Sequence, residues 1–261
     1  MNERDIFNAQ VEQIAEWIVK SRSTVVFTGA GVSTESGIPD FRSPGGIWSK
    51  FDPDDFTIDK FLGSQANRDR QWLFLAQSGL FSQAEPNDAH KAVVWLESIG
   101  KVSCVITQNV DDLHQKAGSD PDRIYELHGN MKWMTCLDCG AHYSLDDLFV
   151  RYAGQRHAPV CEVCGGILKA DVIFFGEALP AKTLQAASEY ASSCDLFIVI
   201  GSSLVVYPAA YLPMYAKNGG AHLVIINRAD TPYDAEADTV IHAGAGEVMQ
   251  RVVAEVKRRL P

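Results

Sequence analysis

The stretch Thr24-Val25-Val26-Phe27-Thr28-Gly29-Ala30-Gly31-Val32-Ser33-Thr34 decides the fold. Its opening run of β-branched and aromatic residues is the kind that sheets bury on both faces. Gly29 and Gly31 then let the backbone turn sharply and come close to a ligand. A strand running into a glycine-rich turn is the posture of nucleotide-binding α/β folds. Thr34 stands where the fingerprint G-x-G-x-x-G has its third glycine, so the turn alone is half a signal, and such turns also occur without a ligand. A second turn of this kind, Gly201-Ser202-Ser203, follows the apolar run Leu196-Phe197-Ile198-Val199-Ile200. Two strand-end turns favour a dinucleotide, because ligands of open parallel sheets lie beyond the carboxyl ends of the strands.

Outward from this stretch, strands and helices alternate. Val11, Ile14, Ala15, Ile18 and Val19 make the stripe of an amphipathic helix that can start near Asn8. Asn87 can cap a helix carrying Val93 and Leu96, and Val102 to Thr107 reads as the next buried strand. Further strands are expected at Ile124–Leu127, Val172–Phe175, Leu196–Ile200 and Leu223–Ile226, with helices around Leu184–Ala191 and along Val248, Met249, Val252, Val253 and Val256. Continuous apolar strands separated by helices predict an α/β fold, a Rossmann-like parallel sheet with helices on both faces. Residues 42–85 and 130–170 break the alternation and read as insertions. Residues 1–41, 86–129 and 171–261 would then build the sheet domain.

The net charge of −10 leaves no broad basic face for nucleic-acid phosphates or anionic lipid, and makes a basic partner easier to attract. Met1 to Phe7 contains no apolar run, and no segment approaches the roughly 18 apolar residues of a membrane span. A cytoplasmic protein without direct membrane contact is expected. The chain has six cysteines, and Cys136-x-x-Cys139 is followed after 21 residues by Cys161-x-x-Cys164-Gly165-Gly166. Four thiolates in two such pairs suit a tetrahedral zinc ion and leave no open position, so the metal should be structural. Cys104 and Cys194, beside apolar runs, read as inert packing, and His128, His142 and His157 are not needed in a shell already complete.

Thr107-Gln108-Asn109-Val110-Asp111 lies just past a strand, where three polar side chains can hydrogen-bond a ribose or a carboxamide, or else merely form a turn and cap a helix. His128-Gly129 follows another strand and is a candidate general base, although a lone histidine is more often structural.

In this order the motifs resemble the sirtuin family over nearly the whole chain. Gly29-Ala30-Gly31-x-Ser33-x-x-Ser36-Gly37-Ile38-Pro39-Asp40-Phe41-Arg42 is similar to its signature opening. The likeness continues through Gln108-Asn109-x-Asp111, His128-Gly129, the four cysteines, Phe175-Gly176-Glu177 and Gly201-Ser202-Ser203-Leu204-x-Val206-x-Pro208, and is nearest to the prokaryotic class U type. The resemblance implies an NAD-dependent protein-lysine deacylase with one structural zinc, a zinc-ribbon module over 130–170 and a helical insertion with a cofactor-binding loop over 42–85. It implies His128 as general base and Asn109 as the residue orienting ribose and water. Ile38, Asp40, Asn109 and Asp111 would line a nicotinamide pocket, with Phe41 shielding the reactive centre. Gly29, Ala30, Gly31, Ser33, Arg42, Gln108, Gly201, Ser202, Ser203, Asn227, Gly244 and Ala245 would hold the rest of NAD. The acyl-lysine peptide would enter as an added strand contacting Ile173, Phe175, Gly176, Glu177 and Val206.

Some positions depart from the family. Val110 and Ser202 replace isoleucine and threonine, and Lys169-Ala170-Asp171 stands where arginine and proline are common. Members that prefer acidic acyl groups carry a tyrosine and an arginine where this chain has Leu73 and Ala76, so neutral acyl groups, acetyl first, are expected. Acetylated proteins or peptides would be the partners of a monomer. The rival readings are a protein mono-ADP-ribosyltransferase, which needs no acyl tunnel, an NAD-dependent dehydrogenase, which needs an acidic ribose contact farther on than Asp40, and a non-enzymatic binding module.

Overall fold

The computed structural model describes residues 2–78 and 83–260; residues 79–82 of the expected 42–85 insertion lie outside them. In chain order the elements are α1 (Glu3–Lys20), β1 (Thr24–Thr28), α2 (Ile58–Gly63), α3 (Gln65–Ser78), α4 (Asp88–Ser98), β2 (Val102–Thr107), α5 (Leu113–Ala117), β3 (Ile124–Glu126) and β4 (Gly129–Cys136). They continue as β5 (His142–Ser144), α6 (Leu145–Arg151), β6 (Leu168–Val172), α7 (Ala181–Ser193), β7 (Leu196–Ile200), α8 (Leu212–Asn218), β8 (His222–Ile226), β9 (Thr239–Ile241) and α9 (Ala245–Arg259).

The main sheet is parallel throughout, in the order β3-β2-β1-β7-β8-β9. Successive side chains of a strand point to opposite faces. Val26 and Ile198 therefore join one core with Ile14, Ile18, Leu96 and Val252 of α1, α4 and α9, while Val25, Phe27 and Phe197 join the other with Ala187, Leu212 and Ala216 of α7 and α8. Every residue of β1 and β7 is buried, which is why these strands carry uninterrupted apolar runs. After β1 the chain builds outward to β3, then returns to place β7 on the other side of β1. The switch point is thus between β1 and β7, where the two glycine turns lie.

The structure moves some expected boundaries. Helix α1 starts at Glu3, because Asn2 and Asp5 form a reciprocal capping box five or more residues before the apolar stripe begins. The strand expected at Val172–Phe175 lies instead at Leu168–Val172 and pairs antiparallel with β4 in a small sheet of order β5-β4-β6. Strand β9 is three residues long, too short to show a period in the sequence. Among the described residues, no helix is long and apolar enough to cross a membrane.

The four paired cysteines sit at the edge of the small sheet. Tight turns close around each pair, with Gly140 N–H donating to Cys136 O at 2.9 Å and Gly165 N–H to Cys161 O at 2.8 Å. Both glycines adopt positive φ, +72° and +75°. The Sγ atoms of Cys136 and Cys164 are 3.5 Å apart, those of Cys139 and Cys161 3.6 Å, and all four lie within 4.8 Å of one another. Four sulfurs each about 2.3 Å from a tetrahedral zinc stand about 3.8 Å apart, so this donor set fits one structural zinc ion.

Two predictions follow from these contacts. An added Cβ at Gly201 would meet Val32 N at 2.1 Å in a backbone of φ +66°, whereas at Gly220 (φ +90°) it would meet nothing within 4 Å. Gly201→Ala should cost about 3 kcal/mol or more from conformational strain plus overpacking, and Gly220→Ala only about 1–2 kcal/mol from strain alone, in urea unfolding. For the metal, elemental analysis should find one zinc per chain, lost in Cys161→Ala together with a drop in the thermal midpoint, because zinc binding is part of the module's folding free energy. Full stability of that variant without metal would show that packing alone holds the module.

Candidate functional site

The site is built on the contact between the two glycine turns. Gly29 N–H donates to Ile200 O at 3.1 Å and Gly31 N–H to Gly201 O at 2.8 Å. A Cβ on Gly31 would stand 2.8 Å from Gly201 Cα and O, so only glycine permits this approach. Over this floor, four separate stretches of sequence meet in one hydrogen-bond network. Ser33 Oγ donates to Asp111 Oδ2 at 2.7 Å and accepts from Asn109 Nδ2 at 3.0 Å. Ser202 Oγ donates to Gln108 Oε1 at 2.7 Å, and the Gln108 carbonyl lies 3.0 Å from His128 Nδ1. Ser33, Asn109, Asp111 and Ser202 are all buried, a costly placement for polar groups that the mutual hydrogen bonds offset.

The electrostatics follow from this burial. Desolvation raises the pKa of Asp111, against the Ser33 hydroxyl and Leu113 amide that favour its anion. For Asp40, burial also opposes ionisation, but hydrogen bonds from Ser43 and from the Arg42 amide outweigh it and lower the pKa. His128 is lowered by desolvation, with the Gln108 carbonyl pulling weakly the other way. A carbonyl only accepts, so Nδ1 of His128 carries the proton and Nε2 keeps its lone pair. At neutral pH the ring is a ready base.

Ile38 is buried and clusters with Ala84 and Leu113, giving an apolar wall beside the polar network. Phe41 is exposed, its ring 5.0 Å from that of Trp48, which in turn contacts Phe56 at 5.3 Å and Phe175 at 6.3 Å. Trp48 thus ties the Ile38–Arg42 loop to the Phe175 segment. The sequence reading missed it, because a single tryptophan in a stretch without periodicity carries no signal of its own.

Two of the residues expected to meet a peptide are engaged within the chain. Phe175 N–H donates to Phe56 O and Phe175 O accepts from Ile58 N–H, both at 3.0 Å, so its backbone already pairs with the helical insertion. The Glu177 carboxylate accepts Phe174 N–H at 2.7 Å and pairs with Lys169 at 2.9 Å. Lys169 is only 6% exposed, and a lysine is buried only where its charge is matched. Gly176 of the same segment has φ +90°, the Phe175 ring is exposed, and Ile173 and Val206 are half-buried. Toward the far edge, Asn227 follows β8 and Gly244 opens α9. The Ala245 methyl packs in the core, so only its backbone can face a ligand. Glu35, which sequence reading did not single out, accepts Gly246 N–H at 3.1 Å and links the first glycine turn to this helix end.

The geometry agrees with what comparison finds. A model of the Sir2 family matches residues 29–208. An NAD-dependent protein deacetylase of Rhodopseudomonas palustris is 46% identical over 240 residues, which cover 92% of this chain and 94% of the relative. A solved structure from work on the mechanism and regulation of Sir2 enzymes aligns with a TM-score of 0.88 at 45% identity, covering 97% of this chain and 99% of the other. A Sir2 structure with a p53 peptide and NAD+ aligns with a TM-score of 0.85 at 38% identity, covering 94% and 98%. By sequence over most of its length and by fold, the chain belongs to the Sir2 family.

Proposed function

We propose that this protein removes acetyl and other neutral acyl groups from lysine side chains of proteins, with NAD as co-substrate and nicotinamide, O-acetyl-ADP-ribose and free lysine as products. The observation that carries the reading is the half-buried His128, whose Nδ1–H is turned to the Gln108 carbonyl so that Nε2 keeps its lone pair, beside Asn109 at the switch point. When bound, NAD would supply a glycosidic bond from which nicotinamide leaves as the acyl oxygen takes its place on the ribose; a ribose hydroxyl and then water would add to the acyl carbon, and the lysine amine would leave. His128 Nε2 takes the proton of that hydroxyl. Asn109, locked by Ser33, orients the ribose and a water, a positional contribution that acts on the transition state.

The residues present fit a dinucleotide. Gly29, Gly31 and Gly201, their own amides paired within the sheet domain, let phosphates approach the backbone closely, and Ala30, Ser33, Ser202 and Ser203 lie in the same two turns, aided by Arg42. Ile38 and Asp40 suit nicotinamide, the carboxylate as acceptor for its amide. Asn227 and Gly244 stand toward the adenosine. Ile173, Phe175, Gly176, Glu177 and Val206 border the acyl-lysine entry, and Leu73 and Ala76 offer no cation to an acidic acyl group. The net charge of −10 suits lysine-rich protein substrates rather than nucleic acid, and we infer a cytoplasmic monomer.

Purified protein given NAD and an acetyl-lysine peptide should release nicotinamide, and His128→Ala should lower that release at least about 100-fold, the scale of one general base. Release that proceeds equally without peptide would point to ADP-ribosyl transfer instead. The pH profile supplies a second check. Burial depresses the His128 pKa below 6.5, so the ring stays unprotonated until the pH falls beneath that value. The rate per enzyme and substrate should stay level from pH 8 down past about 6.5 and decline only below it, whereas an acid limb centred above 6.5 would exclude His128 as the base.

A further inference from the structure

Behind the site lie two histidines that this chemistry leaves unused. His90 of α4 is fully buried, His114 of α5 is 2% exposed, and their rings meet edge to face at 5.0 Å. Desolvation lowers His90 to about 4 and, with His90 beside it, His114 to about 3, so both are neutral. His114 Nε2 is 3.0 Å from Thr28 Oγ1, which donates to Thr107 Oγ1 at 2.8 Å. A hydroxyl has one proton to give; having given it to Thr107, Thr28 accepts from His114 Nε2–H, which fixes the tautomer. Thr107 Oγ1 also accepts Asn109 N–H at 3.0 Å. Thr28 and Thr107 are the last residues of β1 and β2 and face each other in register. This chain of hydrogen bonds therefore ends directly beneath the loop that carries Asn109.

The same pair reaches the other wall. Asn87 N–H donates to His90 Nδ1 at 3.4 Å, and Asn87 Nδ2 donates to Val32 O at 2.7 Å and to Ser36 Oγ at 2.9 Å in the glycine-rich turn. Neither His90 Nε2 nor His114 Nδ1 has a hydrogen-bond partner among the described residues. Burying a nitrogen unpaired costs stability, and an apolar side chain of similar volume would fill the space without that cost. Stability alone does not account for these residues; their placement under Asn109 does.

We propose that His114 is a positioning residue for deacylation, holding the Asn109 backbone from beneath through Thr28 and Thr107. The inference rests on the reading of Asn109 as the residue that orients ribose and water.

The test compares His114→Leu, Thr107→Val and His114→Gln, with Asn109→Ala as reference, by kcat and KM for nicotinamide release with an acetyl-lysine peptide and by thermal midpoint. His114→Leu and Thr107→Val should each lower kcat about tenfold, the rate equivalent of one lost hydrogen bond, with the peptide KM within about twofold. The thermal midpoint of His114→Leu should hold or rise, whereas that of Thr107→Val should fall, because Asn109 N–H and Thr28 O–H lose their acceptor. His114→Gln, whose amide can replace Nε2–H, should recover most of kcat. Should His114→Leu fail to fold, the buried and nearly isosteric Thr107→Val carries the same test. If both apolar variants keep kcat within about twofold while Asn109→Ala is inactive, the positioning role is wrong and the deacylase reading stands. A loss that His114→Gln does not repair likewise overturns the proposal. Full activity of Asn109→Ala would remove the reading and the proposal together.

Discussion

Where β1 and β7 end, two stretches of backbone touch without any side chain between them. Gly31 N–H reaches Gly201 O at 2.8 Å, and a methyl group on either residue would collide with the other's main chain. Because adjacent parallel strands are about 4.8 Å apart, turns that leave them in opposite senses can meet this closely only if both are glycine. The meeting brings Ser33 from one turn and Ser202 from the other to the Gln108–Asp111 loop, which follows β2 on the neighbouring position of the sheet. The hydrogen-bond network of the site is a consequence of that strand order.

The parts added to the sheet fasten the site from outside. The small sheet begins one residue after His128, whose carbonyl accepts Ile173 N–H at 2.9 Å, so the zinc-fitted module and the candidate base share a backbone bond. The helical insertion is joined to the same segment through Phe56, Ile58 and Phe175. Lys169 and Glu177 close the turn between these attachments, and Trp48 bridges Phe41 to Phe175 above it. Three pieces of chain distant in sequence therefore constrain one cleft, which favours a pre-organised site over a loose one.

Burial decides the charge state of most groups around that cleft. It keeps His90, His114 and His128 neutral and raises Asp111, while Asp40 escapes because the Ser43 hydroxyl, two backbone amides and the Arg42 charge hold its anion. Below pH 6.5 the unfolded chain takes protons that these three folded histidines refuse, so each costs the fold stability as the pH falls. An environment that suppresses charge suits a base that must act neutral and a loop that must not swell with water.

By itself the sequence determined the parts whose causes are local. The apolar run Val25–Phe27 could only be a buried strand, Asn87 capped its helix, and two C-x-x-C pairs declared a metal before any fold was known. The glycine turns, Gln108–Asp111 and His128 were legible as motifs, and their order carried the family. Tertiary structure alone decided what depends on partners far away in the chain. Lys169 pairing with Glu177, Phe175 with Phe56, and His114 with Thr28 leave no local pattern, because each is a single contact between separate elements. The same reason displaced the strand expected at Val172–Phe175. Its residues are apolar enough for the main sheet, but pairing with β4 drew the strand back to Leu168–Val172 and left Phe175 to the insertion.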